Sequence, residues 1–166
     1  GQVLDTSMGL TPLDGFMMGT RCGSLDPSVV TFIMEKEGLT PAQMDEILNK
    51  KSGLLGISGI SSDDRDITKA EIEGNDRAIL AHEMLSYQII KQIGAYAAAM
   101  NGVDCIVFTA GLGENQAHLR YSVCRGLKYL GVKINPEIND QMRSGKEGKI
   151  SAFDSKIPVY VITTNE

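Results

Sequence analysis

The stretch VFTAGLGEN, residues 107–115, runs from an apolar segment through two glycines one residue apart into Glu114 and Asn115. Glycine permits a main-chain approach that a β-carbon would block. A helix starting there would offer unpaired N–H groups to an anion or a polar ligand edge. The pattern is neither a dinucleotide fingerprint nor a Walker loop, because Gln116 stands where a third glycine would fall and no Gly-Lys-Ser/Thr follows. Taken alone, it reads equally well as a compact strand-to-helix turn.

Three further stretches carry candidate chemistry. In GISGISSDDRDI, residues 56–67, acids surround Arg65; carboxylates there would accept hydrogen bonds while the guanidinium stacks or donates. The alternative is a solvated polar loop. Residues 5–27, DTSMGLTPLDGFMMGTRCGSLDP, combine small polar residues and glycines with one cation, Arg21. A structured loop of that length is disproportionately functional, and its lone arginine suits charge stabilisation on a phosphoryl group or carboxylate. The alternative is a surface arginine paired with Asp26. TTNE, residues 163–166, sets Glu166 at the carboxyl end of an apolar run, the edge of an α/β sheet where ligands bind; that acid could ligate a metal. His82 and His118 fall on helices without partner ligands at metal spacing and read as helix-surface or interface residues.

The elements that must position these residues are signalled locally. Asp26 and Pro27 begin a helix that Gly38 closes. Thr40 and Pro41 begin another, with Gln43 completing a capping box and Gly53 marking the stop. A long helix is predicted over 76–100, with Ile79, Leu80, Leu85, Ile89, Ile93 and Tyr96 as its buried stripe. Thr68 and Glu71 suggest a capping box and a short turn before it. A further helix begins near Asn115, buries Leu119, Val123, Leu127 and Leu130, and ends at Gly131. Strands are predicted over 103–109 and 157–163 as continuous apolar runs covered on both faces, with a weaker one over 3–6. A surface turn is predicted over 145–148. Helices between such strands imply α/β layers.

The 166 residues correspond to about one domain, 42% hydrophobic, with a net charge of −5. That balance argues against a broad grip on nucleic acid or anionic lipid. No apolar run is long enough to span a bilayer, and no signal-peptide pattern opens the chain. Cys22, Cys105 and Cys124 are too widely spaced for a metal knuckle and odd in number for a disulfide framework, so reduced thiols in a cytoplasmic protein are expected. Both ends look cut, which points to a fragment of a longer protein.

In this order, the four stretches resemble the acetate kinase family, part of the acetate and sugar kinase, heat-shock ATPase and actin superfamily. Residues 5–27 look like its signature segment, GISSDDRDI like its adenosine loop, VFTAGLGEN like its second nucleotide loop, and ITTNE like its final strand motif. The resemblance implies a ribonuclease-H-like α/β half with an incomplete sheet and flanking helices. Residues 1–166 would then be the carboxyl-terminal nucleotide-binding and dimerisation domain, with the amino-terminal domain absent.

By the same resemblance, Arg21 corresponds to the transition-state arginine, and Asp63, Asp64 and Arg65 to the adenosine contacts. Gly111, Leu112, Gly113, Glu114 and Asn115 correspond to the loop beneath ATP, and Glu166 to the acid associated with Mg²⁺. Asp64 departs from the family pattern, which often has a small or apolar residue there. The implied activity is phosphoryl transfer between ATP and acetate, forming acetyl phosphate and ADP, in a homodimer with no nucleic-acid or membrane partner. This chain alone is expected to be inactive, since the acetate pocket, a second arginine and the catalytic aspartate and histidine lie outside it. Propionate kinase is the alternative within the class. A non-catalytic ATP-binding module of the actin or heat-shock type is the alternative outside it.

Overall fold

The computed structural model describes residues 2–164. The chain forms two compact units, one extending to Gln88 and the other starting at Ile89. The boundary falls inside the long helix α5, Asp76–Ala99.

The first unit is irregular up to α1, Pro27–Glu37. There the Asp26 carboxylate accepts from the Ser28 N–H and Gly38 closes the helix in the left-handed region. Helix α2, Pro41–Lys50, carries the expected capping box between Thr40 and Gln43 and packs against α1. Gly53 does not stop α2; it is the first residue of α3, Gly53–Ser58. Helix α4, Asp64–Ile72, is capped by Asp63 rather than by Thr68, which lies inside it. Much of the expected polar loop is therefore helical. Met17, Met44, Leu54, Ile67, Ala78, Ala81 and Leu85 make the core, where each large side chain contributes roughly 1.5–3 kcal/mol by burial. On α5, Leu80 is exposed, and Ala78, Ala81 and His82 take the buried face instead.

The second unit holds β1, Ile106–Phe108; α6, Ala110–Asn115; and α7, Ala117–Gly126. It continues with a 3₁₀ turn, Lys128–Leu130; α8, Pro136–Gln141; β2, Gly148–Lys149; and β3, Val159–Val161. The sheet order is β1-β3-β2. Strand β1 runs parallel to β3, with Ile106 opposite Val159 and Phe108 opposite Val161; β2 is antiparallel to β3. Residues 3–6 form no strand, having no described neighbour to pair their peptide groups. The other two strands are shorter than expected. Burial alternates along β1, leaving Val107 44% exposed, so the sheet is not covered on both faces in this chain. Ser144 and Gly145 make the expected turn with positive φ, but Gly148 already belongs to β2.

Candidate functional site

In the first unit, the segment around Arg21 is seated on the beginning of α3. The amides of Leu54 and Leu55 donate to the carbonyls of Met18 and Gly19, each at 2.9 Å, and Ser52 N–H donates to Thr20 O at 3.0 Å. These are the N–H groups that a helix start leaves without intrahelical partners, and α3 has no side-chain cap. Cys22 N–H donates to Leu48 O at 2.9 Å, and Thr20 Oγ1 donates to Asn49 O at 2.8 Å. The backbone is pinned on both sides of an exposed arginine.

The Arg21–Asp26 pair is not formed: Asp26 caps α1 instead. Among the described residues, the Arg21 guanidinium has no hydrogen-bond or ion-pair partner. It lines an open cavity of about 670 Å³ with Gly19, Thr20, Asp45, Asn49, Lys50 and Ser62.

Asp63, Asp64 and Arg65 diverge at the α4 start. Asp63 accepts from the Arg65 N–H at 2.9 Å and from Arg65 Nε at 3.0 Å. Hydrogen bonds from the Arg65 side chain and amide hold its carboxyl down at about 2. Both groups are solvent-facing, so the pair can present a planar guanidinium to a ligand. Asp64 turns the other way. It is buried, and its Oδ1 lies 3.1 Å from His82 Nε2, while His82 Nδ1 meets Glu71. Thus His82, 5% exposed, is not a surface residue. Burial pulls its pKa down, but the hydrogen bonds and charges of Asp64 and Glu71 outweigh that and leave it raised.

In the second unit, the AGLGEN residues form α6 itself. The backbone departure is at Ala110, whose φ is 58°, a left-handed conformation uncommon outside glycine and a recurrent mark of functional loops. The two glycines differ in surroundings. A Cβ on Gly111 would meet nothing within 4 Å, whereas one on Gly113 would lie 3.3 Å from the carbonyl carbon of Phe108. Gly111 faces open space, and Gly113 lets α6 close onto the end of β1.

The polar side chains of the loop brace it. Glu114 Oε1 accepts from Thr164 N–H at 2.9 Å. Asn115 donates to Gly111 O at 3.1 Å and accepts from Ser144 N–H at 3.2 Å. Leu112 is half-buried. Glu166, the expected magnesium acid, lies outside the described residues.

Arg120 was not anticipated. Fully buried on α7, it donates through Nη1 to Gly113 O at 2.9 Å and Glu114 O at 2.8 Å. Its Nε donates to Asn139 Oδ1 at 2.8 Å, and Nη2 to Asn139 O and Met142 O, each at 2.7 Å. Burial, aided by the Arg143 charge, brings its pKa down to about 10, leaving it charged at neutral pH. Its signal in the sequence was a cation in register with buried Ala117, Val123 and Cys124 on one helix.

The family model of the acetokinase family matches residues 1–166. An acetate kinase of Moorella thermoacetica is 57% identical over 162 residues, covering 98% of this chain and 40% of that protein. The crystal structure of Porphyromonas gingivalis acetate kinase superimposes with a TM-score of 0.93 at 52% identity, over 98% of this chain and 40% of the other. A propionate kinase from Francisella tularensis gives a TM-score of 0.90 at 40% identity, over 98% and 41%. The fold is accordingly the α/β, ribonuclease-H-like type of the acetate and sugar kinase, heat-shock ATPase and actin superfamily, with an incomplete sheet and flanking helices. Within that class, the chain belongs to the acetokinase family. It spans about 40% of the length of the curated relatives it matches.

Proposed function

We propose that this chain is the carboxyl-terminal nucleotide-binding part of a longer ATP:acetate phosphotransferase, and that Arg21 acts on the transferring phosphoryl group. The observation carrying this reading is the exposed Arg21 guanidinium, without a protein partner among the described residues, on a backbone pinned by α3. Leaving an arginine unpaired on a rigid seat suits an anionic ligand. In the reaction, the acetate carboxylate attacks the γ-phosphorus of ATP in line, a new O–P bond forms as the bond to ADP breaks, and Arg21 offsets charge on the equatorial oxygens.

Asp63 and Arg65 are proposed at the adenosine, with Asp64 holding their loop from inside. Gly111, Leu112, Gly113, Glu114 and Asn115 are proposed as the second nucleotide loop, with Gly111 giving the closest main-chain approach. Magnesium would neutralise phosphate charge when bound, with Glu166 as the proposed acid.

Propionate is the second acyl substrate to consider, because the propionate kinase structure matches this chain nearly as well. Self-association through this chain is also proposed; Leu80 and Tyr87 are exposed on α5, and sedimentation tests it. A cytoplasmic setting is proposed from Cys22, Cys105 and Cys124, all free thiols. Among the described residues, no helix is long and apolar enough to cross a membrane.

The deciding experiment compares acetyl phosphate and propionyl phosphate formation by the full-length protein, its Arg21→Ala variant and the isolated chain. Turnover by the full-length protein, lost in Arg21→Ala and absent from the isolated chain, is the expected result. Undiminished turnover by Arg21→Ala would remove Arg21 from the reaction.

A further inference from the structure

We propose that Gly53 is a positioning residue for Arg21, acting by having no side chain where the start of α3 receives the 18–21 backbone. The proposal rests on the reading of Arg21 above. Gly53 is buried and has φ +62°, and a Cβ built on it would lie 2.1 Å from Met18 O, 2.6 Å from Arg21 O and 3.1 Å from Arg21 N. Real Cβ contacts essentially never fall below 3.0 Å, so any side chain must push the Met18 carbonyl away by nearly 1 Å. Neither carbonyl can escape by rotating a side chain, because both are backbone. The Met18 carbonyl is also the acceptor of the Leu54 amide. Displacing it undoes one of the bonds that hold the arginine segment.

Thr20 supplies a second peg to the same seat through its hydroxyl on Asn49 O. Arg21 projects from this seat with no described side-chain partner to re-aim it, so a shift of the backbone passes directly to the guanidinium.

The chain contains its own control. Gly38 has nearly the same dihedral, φ +64°, but a Cβ there meets nothing within 4 Å. Gly38→Ala therefore carries the left-handed penalty without the collision.

The test uses full-length protein carrying Gly53→Ala, Gly38→Ala, Arg21→Ala or the Gly53→Ala/Arg21→Ala pair, with kcat and the KM for ATP measured on each. For an ångström-scale misplacement of a catalytic group, Gly53→Ala is expected to lower kcat on the order of 10²-fold. The KM for ATP should stay within about threefold, and Gly38→Ala should keep kcat. In the Arg21→Ala background, the Gly53 effect should shrink to within about threefold, because a residue acting through another is not additive with it. A folded Gly53→Ala enzyme with the kcat of the Gly38 control overturns the proposal, as does an undiminished Gly53 effect without Arg21.

Should Gly53→Ala fail to fold, Thr20→Val and Thr20→Ser decide. A kcat lowered by valine and restored by serine supports the seat, and an unchanged kcat in Thr20→Val overturns it. Wild-type kcat in Arg21→Ala would overturn the reading of Arg21 itself, an outcome distinct from failure at Gly53 alone.

Discussion

Arg120 and Glu114 are joined by a 2.8 Å hydrogen bond from a fully buried guanidinium to a main-chain carbonyl. A second bond from the same nitrogen reaches Gly113 O, so the carbonyl end of α6 is held by one side chain of α7. Arg120→Ala would leave these carbonyls and those of Asn139 and Met142 without their donor. Unfolding free energy should fall by about 3 kcal/mol or more, since each orphaned buried acceptor costs a sizeable fraction of that. Arg120→Lys should recover only part of it, because an ammonium cannot span the fork. Denaturant titration of the chain measures both. A loss below about 1 kcal/mol in Arg120→Ala would show that water replaces the guanidinium freely.

Gly111 and Gly113 should separate binding from folding. Gly111→Val adds a side chain to open space and is expected to weaken ATP binding with little change in melting temperature. Gly113→Val forces contact with Phe108 and is expected to lower the melting temperature, by overpacking costs of about 1–3 kcal/mol. Calorimetric ATP titration and thermal melting of each variant would reveal a reversal of these roles.

Arg21→Ala in the full-length protein should lower kcat by roughly 10³-fold or more, the scale of arginines that meet transition-state charge on a phosphoryl group. The KM for ATP should change far less, because the interaction strengthens only as charge develops. Steady-state kinetics with acetate give both numbers. A loss below about tenfold would be too small for that role.

His82 makes stability depend on pH in a defined direction. Its folded pKa is raised, so its contribution is fully present below the unfolded value of about 6.5 and is lost as pH rises through the folded value. Asp64 and Glu71 each hydrogen-bond its ring. The stability advantage of the wild type over His82→Gln should be largest below about pH 6.5 and shrink as pH rises above it. Urea midpoints at several pH values measure it, and a gap that widens with pH would reverse the assignment.

Asp63→Asn should keep the α4 cap, since asparagine caps as well as aspartate, while removing the charge that pairs Arg65. Melting temperature should hardly move, because an exposed ion pair contributes little. The KM for ATP should rise if Arg65 is oriented by that pair. An unchanged KM would mean that Arg65 needs no aspartate to face the nucleotide.

What the sequence disclosed divides along the reach of the interactions. Asp26, Pro27 and Gly38, or Thr40 and Gln43, act within one turn of the chain, and each helix end they signal is where expected. The AGLGEN stretch was legible as a backbone feature, although its strained residue is Ala110 rather than a glycine. Gly53 was misread as a stop because its meaning lies in carbonyls more than thirty residues earlier, at Met18 and Arg21. Thr68 and Glu71 match a capping box in spelling, but Asp63 caps first and absorbs Thr68 into α4. His82 looked like a surface residue because its partners, Asp64 and Glu71, come from a different helix. The alternation of β1 was hidden since every residue of Ile106–Phe108 is apolar, whichever way it faces.

The seating of the Arg21 segment on α3 also makes that segment audible to isotopes. The Leu54 and Leu55 amides donate to Met18 O and Gly19 O, so deuterium replaces their protons when the segment lifts away. Amides deeper in α5 would exchange through their own helix opening and keep a separate time. Those two leucines therefore keep count for a neighbour they do not belong to, their exchange reporting how often the arginine segment leaves its place.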